Sequence, residues 1–299
     1  MRRGAFLGGA AAAAGAAALG GFAACASARP AIDLDGIASD IPGVTGVVVR
    51  TMDGAPPLAE LHENERFASA SVIKLAIMAT VYRAYDAGTA RPEDTVRTRA
   101  ADLIGGSDVL AGSPPGKAWT LDSLVRAMIQ VSDNSASNTL ITAFGMETIN
   151  ATMRHAGMTR SHLGRHFADV VPSWHISENV MTPADTALLL YEIERGAREA
   201  LTTIATPQSC RAMIDVMLGN EDATKIVRGL PRGTPCAHKT GEITAVRNDA
   251  GIVDPFGDTP YVLAVFTKDL DDTSAGNAGI AAIAHRVDAA LRGPSPSAG

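Results

Sequence analysis

Phe67-Ala68-Ser69-Ala70-Ser71-Val72-Ile73-Lys74-Leu75 runs directly into Ala76-Ile77-Met78-Ala79-Thr80-Val81-Tyr82. The second half of this stretch has no Gly or Pro and many good helix formers, so a helix is expected to begin near Ser71 with Lys74 one turn on. Side chains at i and i+3 share a helix face, which brings the amine within reach of the hydroxyl. A serine hydroxyl is a poor nucleophile until a neighbouring base takes its proton. A lysine can be that base if burial or positive neighbours lower its pKa. The free N–H groups and positive dipole end of the helix also suit a developing oxyanion. Ser-x-x-Lys alone is nonetheless a cheap pattern, since an N-cap serine followed by a surface lysine is spelled the same way.

Working outward, Thr45–Thr51 is β-branched and reads as a strand, Asp53-Gly54 as a turn, and Leu58–His62 as a second, weaker strand. Residues 89–118 are rich in turn formers. Helices are expected from Leu121, from Ser135 to Phe144, and over 146–156, 183–196 and Pro207–Leu218, with a long irregular segment from Thr159 to Thr182. The chain then changes character. Cys236–Ile243, Arg247–Val253 and Tyr261–Lys268 read as strands and Ser274–Leu291 as a closing helix. Strands at both chain ends with helices between them predict an α+β fold. One antiparallel sheet would be assembled from both termini, with an all-helical lobe inserted over about residues 65–205.

The length of 299 residues and a hydrophobic fraction of 46% support a large buried core. A formal charge of −6 without a basic stripe argues against a nucleic-acid partner. Met1-Arg2-Arg3 followed by an apolar, Ala-rich run reads as an export signal, and its removal makes the charge two units more negative. Phe22-Ala23-Ala24-Cys25 fits either a lipobox, with Cys25 lipidated and the protein anchored at the cell envelope, or simple cleavage nearby. The expected organisation is therefore a signal over 1–25, a linker over 26–34, a catalytic domain over 35–292 and a disordered tail over 293–299. Cys210 and Cys236 remain after processing, and an exported protein could pair them or leave them free. His155, His162, His166 and His175 lack metal-ligand spacing, so neither a metal nor another cofactor is expected.

Two further motifs follow Ser71-x-x-Lys74 in order: Ser132-Asp133-Asn134 on a bend between helices, and Lys239-Thr240-Gly241 on a strand. The trio resembles the penicillin-recognising serine acyltransferases and, in order and spacing, the class A β-lactamases. The resemblance spans about residues 35–292. It implies a β-lactamase/transpeptidase-like fold, an exported monomer linked to β-lactam resistance, and a small β-lactam or peptidoglycan-like substrate. Ser71 would attack the acyl carbonyl with Lys74 as base. Ser132 would pass a proton to the leaving nitrogen, helped by the charge of Lys239. Asn134 would bond the substrate amide, and Thr240 with Lys239 would meet a substrate carboxylate. The N–H groups of Ser71 and Glu242, the residue after Gly241, would form the oxyanion hole. Arg247 is either the family's carboxylate-recognising arginine or a solvent-facing strand residue. Asp133 is expected to order the bend.

One departure stands out. Class A enzymes carry a glutamate in the loop ahead of the Thr-Pro that starts the next helix, where it activates the deacylating water. Here that position falls on Phe167 within Leu163–Val171, and the partner Asn of the motif is missing. Asp169 is the nearest carboxylate and reads more readily as a solvated or loop-pinning residue, and Glu178, late in the segment before Thr182-Pro183, as a helix-approach residue. The acylating half thus reads as intact and the deacylating half as altered. The leading expectation is a serine β-lactamase-like hydrolase. Its rivals are a penicillin-binding, D,D-peptidase-like or other acyl hydrolase with slow deacylation, and a non-catalytic envelope protein that keeps the fold.

Overall fold

The computed structural model describes residues 31–105, 109–167, 179–201 and 203–293. The proposed signal, Cys25, Asp169, Glu178, and all of the tail but Gly293 lie outside them. In chain order the elements are α1 (Leu34–Ala38), β1 (Val44–Thr51), β2 (Ala59–Leu61), β3 (Phe67–Ala68), a 3-10 turn (Ala70–Ile73), α2 (Lys74–Asp86), β4 (Thr95–Arg97), β5 (Ala118–Thr120), α3 (Leu121–Gln130), α4 (Asn134–Phe144) and α5 (Met146–His155). These are followed by β6 (Val180–Met181), α6 (Pro183–Glu199), α7 (Pro207–Leu218), α8 (Ile226–Gly229), β7 (Cys236–Ile243), β8 (Val246–Val253), β9 (Tyr261–Lys268) and α9 (Thr273–Arg292).

The main sheet has the order β2-β1-β9-β8-β7 and is antiparallel throughout, so the first strands of the chain and the last do share one sheet. β1 and β9 pair from Val44 opposite Lys268 to Thr51 opposite Tyr261. Their exposure does not alternate, because both faces are covered, and the period of two sorts side chains between two cores instead. Val47, Val49, Leu263 and Val265 meet Ile280, Ile283 and Val287 of α9 on one face. Val48, Val262, Ala264 and Phe266 join the core of the helical lobe on the other. Each of these side chains but that of Ala264 stabilises the fold by about 1.5–3 kcal/mol. Gly46 permits this packing on β1, since a Cβ there would lie 2.7 Å from the Phe67 ring and 2.8 Å from Pro183.

α2 is the axis of the helical lobe. Nine consecutive residues, Lys74–Tyr82, are buried, so the helix is enclosed on all sides over that stretch. The helices around it start where their caps predict. Thr120 caps α3, Thr182 caps α6 with Pro183 in the first turn, and Thr206 caps α7 with Pro207 likewise. The short α1 and α8 and the two-residue pair β3–β6 were not legible from periodicity, which needs more turns or strand residues than they have. α1 begins at Leu34, the last residue of the expected linker. Cys210 lies buried in α7 and Cys236 in β7, in different cores, and both are free. Among the described residues no helix is long and apolar enough to cross a membrane, and no group of three or more His, Cys, Asp or Glu could hold a metal.

Candidate active site

Ser71 lies in the 3-10 turn and Lys74 opens α2 directly after it, so the two residues stand at the entrance to a helix whose first nine residues are buried. The turn is anchored from three directions. Ser69 donates through N–H and Oγ to Asn179 O, both at 2.9 Å. Asn248 of β8 donates through Nδ2 to Ala68 O at 2.9 Å. β7 passes so close at Gly241 that a Cβ there would sit 3.0 Å from Ser69 O and 3.1 Å from Ser71 N, so a side chain would fit only if the strand or the turn gave by a few tenths of an ångström. The turn also holds Ala70 at φ +45°, a left-handed conformation that costs a non-glycine residue of order 1–3 kcal/mol. The surrounding bonds and packing sustain it.

The second motif comes from the bend between α3 and α4, where Ser132 has φ +58°. Asp133 orders that bend as expected. It is fully buried, caps α4 by accepting from Ala136 N at 2.8 Å, and accepts from Val109 N and Leu110 N at 3.0 and 2.8 Å. The bend delivers Ser132 and Asn134 to Lys74. Lys74 Nζ donates to Ser132 O at 2.8 Å and to Asn134 Oδ1 at 2.8 Å, and lies 3.1 Å from Ser132 Oγ. Lys74 is fully buried. Burial and, after it, the charge of Lys239 hold its pKa well below the usual lysine range, against a smaller opposing pull from Asp133. A neutral amine has two N–H groups and one lone pair. Two obligate acceptors take the N–H groups here, leaving the lone pair free to accept a proton from a hydroxyl.

Lys239 of β7 is also fully buried, and Nζ donates to Thr240 O at 2.9 Å. Burial lowers its pKa to about 8, partly offset by Asp249 and Asp222. Ser71, Ser132, Asn134, Thr240 and Glu242 line one cavity of about 450 Å³, together with Gln130, Val131, Asn220, Glu221 and Asp222. The three motifs, distant in sequence, therefore converge on one opening. A larger cavity of about 710 Å³, lined by Arg66, Arg154, Arg160 and His162 among others, contains none of them.

Arg247, for which two readings were open, lies at the start of β8. Its Nη1 donates to Ile243 O at 2.9 Å and Val246 O at 2.8 Å, folding the guanidinium onto its own hairpin, with Nε 3.7 Å from Glu242 Oε1. Phe167 occupies a defined place. Buried Asn138 clamps its backbone, donating to Phe167 O and accepting from Phe167 N, both at 2.7 Å. The Phe167 ring centroid lies 4.7 Å from Lys74 Nζ. An aromatic ring thus lies beside the amine at the position where the family resemblance led to the expectation of a carboxylate. Sequence reading missed Asn138, although it lies one turn after Asn134 on the same face of α4. It also missed Lys225, Asp222, Glu221 and Gln130, which carry no motif and reach the site only through the fold.

A family model described as "Beta-lactamase enzyme family" matches residues 30–291. Among solved structures, the beta-lactamase from Sphaerobacter thermophilus DSM 20745 is 33% identical, with 89% of this chain and 100% of that chain covered and a TM-score of 0.77. PBP-A is 25% identical, with 86% and 96% covered and a TM-score of 0.74, and a variant of it is described as an acyl-enzyme complex with penicillin G. An ancestral (GNCA) class A beta-lactamase is 26% identical, with 85% and 96% covered and a TM-score of 0.75.

Proposed function

Since the chain belongs to the beta-lactamase enzyme family, we propose that it opens the β-lactam amide through an ester on Ser71, with Lys74 as the base. The chain is a class A-like serine hydrolase, and the bonding of Lys74 Nζ is the observation that carries this assignment of roles. Ser71 Oγ attacks the acyl carbonyl and its proton goes to the lone pair of Lys74 Nζ. The oxyanion is met by the N–H groups of Ser71 and Glu242. As the C–N bond breaks, the nitrogen takes the proton of Ser132 Oγ, which Lys74 replenishes across 3.1 Å. Lys74 returns to its neutral form and the acyl group rests on Ser71. Asn134 holds the substrate amide, and Thr240 with Lys239 faces its carboxylate.

Water must then release the acyl group, and Phe167 supplies no base for it. This supports acylation that outruns deacylation, a behaviour between a β-lactamase and a penicillin-binding protein, and the likeness to PBP-A fits it. Intact-protein mass spectrometry after adding penicillin G is expected to show a one-to-one adduct on the Ser71 peptide that persists while hydrolysed drug accumulates slowly. No adduct on that peptide would overturn the Ser71 assignment, and an adduct too brief to observe would overturn the slow step. The signal read at residues 1–25 and the lipobox around Cys25 support export and anchoring at the cell envelope. The mass of protein extracted from membranes reports whether Cys25 carries lipid.

The pH profile of adduct formation follows from the two lysines. Acylation needs Lys74 neutral and Lys239 charged. The rate is therefore expected to rise as pH climbs through the depressed pKa of Lys74 and to fall above about pH 8, where Lys239 loses its proton. In Lys239→Arg, whose cation persists to far higher pH, the alkaline limb should disappear. A limb that stays at the same pH would assign it to another group.

A further inference from the structure

The wall of the cavity formed by β7 and the segment before α8 bears an unexpected charge. Three carboxylates, Glu221, Asp222 and Glu242, line a site expected to receive an anionic substrate. The cations of that wall are already engaged. Lys225 is fully buried, and its Nζ lies 2.5 Å from Glu242 Oε1, 2.7 Å from Asp222 Oδ2 and 3.1 Å from Thr224 Oγ1. An ammonium has three N–H groups, so these partners saturate it. Arg247 Nε approaches the same Glu242 oxygen at 3.7 Å. One carboxylate oxygen therefore sits between both cations.

The two acidic partners of Lys225 are not equivalent. Asp222 is built in: it also accepts from Thr224 N and Oγ1 at 3.0 and 2.6 Å, and its side chain is 29% exposed. Glu242 has a longer side chain, 45% exposed, near the end of an edge strand, and its carboxylate is held by Lys225 and Arg247. Its rotation into solvent gives up only the contacts with Lys225 and Arg247, whereas Asp222 would also lose its bonds from Thr224. When Glu242 leaves, a buried ammonium is left short of one acceptor beside the cavity, and the substrate carboxylate that faces Thr240 and Lys239 can supply it, since Lys225 and Glu242 both act on the charge of Lys239.

Resting on the Ser71 reading above, we propose that the Glu242 side chain occupies the carboxylate subsite in the free enzyme and acts as a built-in competitor that an anionic substrate must displace. Its backbone N–H serves the oxyanion whichever way the side chain points, so the same residue aids the chemistry and filters the substrate. Discrimination by repulsion of this kind narrows the advantage that Thr240 and Lys239 give a free acid over a neutral ester or amide at that position.

The test compares a chromogenic cephalosporin as its free 4-carboxylate and as the methyl ester, in wild type and in Glu242→Gln. The ratio of kcat/KM for acid over ester is expected to rise about tenfold in the variant, through a lower KM for the acid. Adding Lys225→Met to Glu242→Gln should abolish that rise, with ester turnover reporting that the double variant is folded. An unchanged ratio with both substrates turned over overturns the subsite occupancy and leaves the Ser71 chemistry standing. Failure of both proteins either to turn over or to be acylated by either substrate overturns the Ser71 reading and this inference with it.

Discussion

Phe167→Glu is expected to speed hydrolysis of the acyl-enzyme by about 10²–10⁴, the usual contribution of a positioned general base. The geometry favours the substitution because the backbone does not depend on the side chain. Asn138 grips both the N–H and the C=O of residue 167, so a glutamate inherits the position of the ring. Its carboxylate would then lie near the site of the ring centroid, 4.7 Å from Lys74 Nζ. Two costs accompany the gain. Phe167 packs against the core of the helical lobe, so part of that burial is lost. A carboxylate beside Lys74 also favours the ammonium, raising the lysine pKa and weakening it as the acylating base. The measurement is the decay of the penicillin adduct by mass spectrometry, with Phe167→Gln as control. The amide removes the ring equally but cannot take a proton. Faster decay in Glu alone supports a missing base. Equal acceleration in both variants would mean that the ring merely keeps water out, and no acceleration in either would place the base elsewhere.

Lys74→Met is expected to lower the rate of adduct formation by about 10²–10⁴. Methionine keeps most of the apolar stem in its enclosed position and removes only the amine, so the packing of α2 is largely preserved. What is lost is the proton path from Ser71 to Ser132, together with the donor shared by Ser132 O and Asn134 Oδ1. The acid limb of the pH profile should vanish with it, because no depressed amine then titrates. A variant that acylates at the wild-type rate with the same acid limb would show that another group is the base. Thermal denaturation separates this chemical loss from a structural one.

Much of this protein was legible along the chain because the signals are local. The helix from Lys74 to Asp86 follows from an unbroken run of helix formers, the starts of α6 and α7 from Thr-Pro, and β9 from Tyr261–Lys268 as a bounded β-branched and aromatic run. The three motifs could be found because each is a short word whose meaning does not depend on the others. The neighbours of those words were not legible, because hydrogen bonds and ion pairs span whatever distance the fold closes. Lys74 meets Ser132 across 58 positions and Asn138 meets Phe167 across 29. Sequence alone determined that a serine, a lysine and their partners would share a site on an α+β sheet. Only the tertiary structure decided that the amine would be buried and its pKa lowered, that an aromatic ring would lie beside it, and that Glu242 would lie on Lys225. Each of these depends on which groups exclude water and which charges meet, and packing alone sets that.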